Sequence, residues 1–146
     1  MALVVAVRAA QSDDADALVA LCGQHGYPST QDDVTRRLHA LLARPDAAVF
    51  VACVSDCIIG FVHVAGVSSL LSDGYAEVLG LVVLETQRRQ GIGRLLVNAA
   101  EQWSMAAGFC RMRLRSGVQR EDAHRFYERI GYARSRASFA FQRTLD

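Results

Sequence analysis

The chain has 146 residues, 51% of them apolar and 21% charged, and its 16 Lys and Arg against 15 Asp and Glu leave a net charge of +1. That length suits one domain with an ordinary core. The near-neutral balance argues against nucleic acid or an anionic membrane as the main partner, and no apolar run approaches the roughly 20 residues that span a bilayer.

Residues 1–7 are apolar but lack a basic n-region, so a first strand over 4–9 explains them better than a signal peptide. Ser12 or Asp13 can cap a helix reaching Gln24, with Ala17, Leu18, Leu21 and Cys22 on its apolar side. After a break at 23–28, Ser29 and Thr30 precede Asp32 and Asp33 as a helix start. Val34, Leu38, Leu41 and Leu42 follow at helical spacing, and Pro45 ends the element.

Residues 47–55 and 57–67 read as strands around a Ser55-Asp56 turn, and 75–84 as a long strand after a loop at 68–74. Gly80 interrupts that strand and marks a bulge. The next helix places Ile92, Leu95, Leu96, Ala99, Trp103 and Ala106 on one face, and Gly108 stops it. Residues 110–116 alternate, with Cys110, Met112 and Leu114 facing one way and Arg111, Arg113 and Arg115 the other. The simple reading is a strand with one wet face. A short helix over 121–130 buries Ala123, Phe126, Tyr127 and Ile130 and is capped by Gly131; two strands, 132–135 and 138–145, finish the chain.

Cys22, Cys53, Cys57 and Cys110 match no zinc spacing, and His25, His39, His63 and His124 are scattered, so no metal site is expected. Cys53 and Cys57 flank a hairpin turn where a disulfide is conceivable. Without a signal peptide, reduced and mostly buried thiols in the cytoplasm are the expectation.

The most informative stretch joins Val82, Val83 and Leu84 to the helix at Ile92 through Arg88, Arg89, Gln90, Gly91, Gly93 and Arg94. The first amides of a helix lack partners and sit at the positive end of its dipole, so they attract anions. Gly91 and Gly93 remove the Cβ atoms that would hold a phosphate away, and Arg88, Arg89 and Arg94 add charge. A P-loop is excluded because its Lys and Ser/Thr are missing. A dinucleotide fingerprint is excluded because Leu96 stands at its third glycine.

The pattern R-x-x-G-x-G over residues 88–93, after an apolar strand, resembles the acetyl-CoA motif of the GNAT superfamily of N-acetyltransferases. The element order matches as well, strongly from Val49 to Leu145 and only in outline before that. The resemblance implies one α/β (α+β) domain over 1–146: a mixed, mostly antiparallel sheet of about seven strands, splayed between strands 4 and 5 and flanked by about four helices. It implies acetyl-CoA as cosubstrate, gripped by Arg88, Arg89, Gln90, Gly91, Ile92, Gly93 and Arg94. Backbone groups of Leu81, Val82 and Val83 would pair with the pantetheine arm and polarise the thioester carbonyl. Many relatives carry an asparagine seven residues before the motif tyrosine. Here Arg120 stands there, which puts that contact in doubt and offers a phosphate partner instead.

Glu77 is the candidate general base. It lies in an apolar central strand, where an isolated carboxylate is costly without a task or a partner, and family members often carry a Glu at this place. Tyr127, the tyrosine of the closing helix motif, is the candidate general acid, since a phenol can protonate a leaving thiolate. The structural alternatives are a carboxylate at a strand end or paired with an arginine, and a core tyrosine.

The expected reaction is acetyl transfer to a primary amine of a small molecule by direct attack in a ternary complex. The alternatives are a non-catalytic acyl-CoA-binding or regulatory domain, and a protein or peptide N-acetyltransferase. The tail from Arg120 through the last strand is also similar to small bacterial members of the family, including aminoalkylphosphonate N-acetyltransferases. Dimerisation is common in the family, and Phe139 and Phe141 are candidates for such a homodimer contact.

Overall fold

The apolar runs pair into one sheet of β1 (Val5–Ala9), β2 (Ala47–Val54), β3 (Cys57–Val67), β4 (Tyr75–Val83) and β5 (Met112–Leu114), in the order β1-β2-β3-β4-β5. Helices α1 (Ala15–Gln24), α2 (Gln31–Leu42), α3 (Ile92–Ala106) and α4 (Glu121–Arg129) complete the described secondary structure, with short 3₁₀ turns at Ser12–Asp14 and Glu85–Gln87. This computed structural model describes residues 4–88 and 90–146. The chain divides into two compact units, one ending at Leu114 and the other starting at Arg115.

In the first unit, neighbouring strands run antiparallel except β4 and β5, which are parallel. Side chains alternate across a strand, so each face recruits its own helices. Val49, Val51, Cys53 and Val82 pack with Leu18 and Leu21 of α1 and Val34 and Leu38 of α2. Ala52, Val62, Val64, Ala76 and Val78 pack with Ile92, Leu96 and Ala100 of α3 on the opposite face.

The seam of α3 differs from expectation. Ile92, Leu96, Val97, Ala100 and Ser104 are buried, while Leu95 is 41% exposed and Ala106 is on the surface. Positions i, i+4, i+8 and i+12 line up along the sheet. Ala100 and Ser104 are small enough to bring the helix close, and the Ser104 hydroxyl is satisfied by donating to Ala100 O. The start of α1 differs too. Asp14, not Ser12 or Asp13, is the polar anchor: buried, it accepts from Gln11 N–H at 2.7 Å and from both terminal nitrogens of Arg8 at 2.7 and 2.9 Å. That pairing holds its carboxyl below the usual carboxylate range. At α2 the expected cap is present: Thr30 Oγ1 accepts from Asp33 N–H, and the Asp33 carboxylate accepts from Thr30 N–H.

In the second unit α4 carries half-buried Ala123, Phe126, Tyr127 and Ile130, and Gly131 at φ 104° ends it, as its sequence suggests. The two closing strands do not form. Residues 133–146 join no ladder and are exposed, with Phe139 at 89% and Phe141 at 96%. Alternation alone does not make a strand; a partner edge does, and none of the described residues supplies one. The sheet therefore has five strands rather than seven.

Candidate acetyl-CoA and acceptor site

The expected splay is visible in the register. β5 pairs only with Ala76, Glu77 and Val78, while β4 continues to Val83. The β3–β4 ladder slips where Val64 faces Val78 and His63 faces Gly80, so Leu79 is the extra, outward residue of a bulge. Beyond it one edge of β4 carries no neighbouring strand among the described residues. Val82 O points at β3, 2.8 Å from where a Gly60 Cβ would stand, and Leu84 N–H donates to Ile59 O. Alternation turns Leu81 and Val83 to the open edge. Their backbone groups, rather than those of Val82, can pair with an extended ligand arm.

That edge is held by Gln24, the last residue of α1. Its Nε2 donates to Val83 O and its Oε1 accepts from Glu85 N–H, both at 2.9 Å. The carboxamide pairs with the strand exit as a peptide would, which fixes the direction in which the chain leaves β4. No motif marks Gln24.

The exit leads to the α3 N-terminus. Gly91 is its N-cap residue, with φ 79° and ψ 9°, a left-handed conformation that suits glycine. The first helical bond runs from Leu95 N–H to Gly91 O, and among the described residues no side-chain cap is made at Gly91. The amides of Gly91, Ile92, Gly93 and Arg94 thus lack intrahelical acceptors. Arg88, Gln90 and Arg94 are exposed around them, and Ile92, 1% exposed, anchors the turn from beneath. Arg89 lies outside the described residues. This donor set fits a diphosphate: uncapped amides, positive dipole and flanking guanidinium groups.

Glu77 is half-buried. It pairs with Ala65 of β3 and Arg113 of β5, and so lies on the face that carries α1 and α2. His63 shares that face. Its Nε2 is buried with no hydrogen-bond partner among the described residues, and burial pushes the imidazole below its ordinary value, so it is neutral at pH 7. Arg113, expected on a wet face, is half-buried and stands over the Tyr75 ring at 4.6 Å, with Arg111 over the same ring at 5.6 Å. His63 and Arg113 were legible only through cross-strand register.

In the second unit, Tyr127 is half-buried between Phe126 and Tyr132, both edge-on. Burial raises its phenol, with Arg120 opposing weakly, so it keeps its proton at neutral pH. Arg120 is exposed at the start of α4, where His124 N–H donates to its carbonyl.

All four cysteines are free thiols, and burial pushes Cys22 up, away from a reactive thiolate. Among the described residues no cluster of three His, Cys, Asp or Glu could hold a metal, and no helix is long and apolar enough to cross a membrane. A depression of about 640 Å³ lies at the far end of α3, around Met105, Phe109 and Met112, away from the amide cluster.

The sequence profile of the Acetyltransferase (GNAT) family matches residues 13–132. The chain belongs to the GNAT family. An aminoalkylphosphonate N-acetyltransferase of Salmonella typhimurium is 43% identical over 63 residues, 43% of this chain and 41% of that protein. An uncharacterised N-acetyltransferase of Bacillus subtilis is 39% identical over 56 residues, 38% of this chain and 39% of that one. The chain thus matches about two fifths of the length of these relatives. Among solved structures, aminoglycoside N-acetyltransferase AAC(6')-Iy in complex with CoA superposes with a TM-score of 0.88 at 16% identity, covering 99% of this chain and 98% of that one. A GNAT family acetyltransferase of Staphylococcus aureus gives 0.79 at 22% identity, covering 94% and 98%. At such identities the likeness is one of fold.

Proposed function

We propose that this GNAT chain acts as a single acetyltransferase domain, moving the acetyl group of acetyl-CoA to a primary amine of a small acceptor in a ternary complex. The observation that carries the proposal is the open edge of β4 running, through a Gln24-held exit, into an uncapped helix N-terminus with a left-handed glycine. In this reading the amides of Gly91, Ile92, Gly93 and Arg94 hold the diphosphate, with Arg88, Arg89, Gln90 and Arg120 adding polar contacts. Leu81 and Val83 pair with the pantetheine arm, beside Val82.

An ammonium group cannot attack a thioester, so a base must take its proton first. Glu77 has that role, directly or through water, from the α1 and α2 face. Tyr127 keeps its proton at neutral pH and gives it to the leaving thiolate. The cosubstrate supplies the activated acetyl group; the chain supplies orientation and proton transfer. In this reading the domain works in the cytoplasm, a reducing compartment that keeps thiols unpaired. The 43% identity to an aminoalkylphosphonate N-acetyltransferase supports a small amine as acceptor.

The test is an amine screen that follows free thiol released from acetyl-CoA, with calorimetry of CoA against ATP and NAD. Acetylated product together with CoA-selective binding supports the proposal. CoA binding without turnover on any amine would favour a non-catalytic binding domain.

A further inference from the structure

We propose that Arg111 and Arg113, stacked on Tyr75 beside Glu77, form an anion subsite that selects small amines carrying a carboxylate or phosphonate group. The inference rests on the acetyl-transfer reading and names its acceptor class.

The charge pattern points there. In the described chain Asp14, Asp33, Asp46, Asp122 and Glu128 each take an arginine: Arg8, Arg36, Arg44, Arg125 and Arg134. Arg111 and Arg113 form no ion pair among the described residues; both guanidinium groups rest against one tyrosine ring. The ring's negative face attracts each cation, but it cannot neutralise two like charges that repel one another. Arg113 is also half-buried, so water screens it less than a surface arginine.

The position gives the pair its meaning. Arg113 sits directly across the parallel ladder from Glu77, and Ala65 sits across from Glu77 on the other side. Residues so paired share a face, here the face of α1 and α2, while Met112 and Leu114 turn toward α3. Adjacent strands stand about 4.8 Å apart. An amine delivered to Glu77 therefore carries its substituents within reach of the Arg113 fork, whose planar donors match a carboxylate or phosphonate. A polycationic acceptor would bring like charge to the same place.

The test compares thiol release from acetyl-CoA by the full chain with 2-aminoethylphosphonate, β-alanine, ethanolamine and a polycationic aminoglycoside. Wild-type kcat/KM is expected to be at least about tenfold higher for one of the anionic amines than for ethanolamine. In Arg113→Gln and Arg111→Gln the ratio of anionic to neutral kcat/KM falls severalfold, Arg113→Lys retains part of it, and Arg113→Glu reverses the preference toward cationic amines. Thermal unfolding checks that each variant is folded. A wild type that prefers ethanolamine or the aminoglycoside overturns the subsite and leaves acetyl transfer standing. So does a ratio unmoved by both Arg113→Gln and Arg113→Glu. No thiol release with any amine overturns both.

Discussion

Gly91→Ala separates conformational cost from steric clash at the helix mouth. Gly91 holds φ 79°, and a Cβ built there meets nothing within 4 Å, so the substitution clashes with nothing. Its cost is that of a left-handed L-residue, about 1–2 kcal/mol. If the loop keeps its geometry, that cost appears as lost stability, roughly 3–7 °C in Tm for a chain of this size. If φ relaxes, the amides swing away from the diphosphate and the cost appears as weaker CoA binding, about 5–30-fold for the same energy. Gly108→Ala is the matched control. It has φ 93° and equally open space, but lies beyond the other end of α3, about 22 Å away along the helix. Calorimetry with CoA and thermal unfolding on both variants decide the matter. Both should lose stability, and any loss of CoA affinity should be confined to Gly91→Ala. If Gly91→Ala loses less stability than Gly108→Ala, showing that φ has relaxed, and still binds CoA as tightly, the placement of the diphosphate is refuted.

The remaining expectations concern the proposed base, the proposed acid, the strand exit and acid stability. Glu77→Gln should lower kcat by about 10²–10⁴-fold while CoA affinity, read by calorimetry, stays near wild type; an unchanged kcat would remove Glu77 from the proton path. The raised Tyr127 phenol is protonated below its shifted pKa, so activity should persist through the ordinary phenol range and fall only above it. Tyr127→Phe should cost about 10²-fold in kcat and lose that alkaline fall; a pH–rate profile identical to wild type would contradict the role. Gln24→Leu removes two hydrogen bonds to the β4 exit, each worth about 0.5–1.5 kcal/mol. The KM for acetyl-CoA should rise while kcat holds, and a fall in kcat alone would speak against positioning. Both His63 and Asp14 have depressed folded-state values. Denaturant midpoints should therefore fall first as pH drops below about 6.5, where unfolded His63 takes a proton, and again below the carboxylate range as Asp14 protonates. His63→Leu should abolish the first fall and Asp14→Asn should blunt the second; an unchanged slope between neutral and mildly acidic pH in His63→Leu would contradict the buried neutral imidazole.

The strand–turn–helix at residues 75–106 was legible because its signals are local: an apolar run, a glycine at the bulge, a basic turn, a helical period. The cap at Thr30 and the stop at Gly131 are local in the same sense. What escaped is long-range. Gln24 meets Val83 across 59 positions of sequence, and nothing around a helix-terminal glutamine announces such a contact. Arg113 read as solvent-facing because alternation says which residues share a face and not what lies across the ladder; Tyr75 came into view only with the parallel register. The α3 seam was misplaced at Leu95 because several apolar stripes fit a helix rich in Ala, Leu and Val, and packing against the sheet chose one. Residues 138–145 carry a strand-like alternation, but strand formation is a pairing event that no single segment encodes.

The central claim is that amides at the mouth of α3 and along the open edge of β4 receive coenzyme A. A titration of the ¹⁵N-labelled 146-residue chain with CoA, followed amide by amide, tests it most directly. The account predicts saturable shifts that are largest at Gly91, Ile92, Gly93 and Arg94 and extend to Leu81 and Val83. Shifts centred on the depression around Met105 and Met112, or none at millimolar CoA, would contradict it.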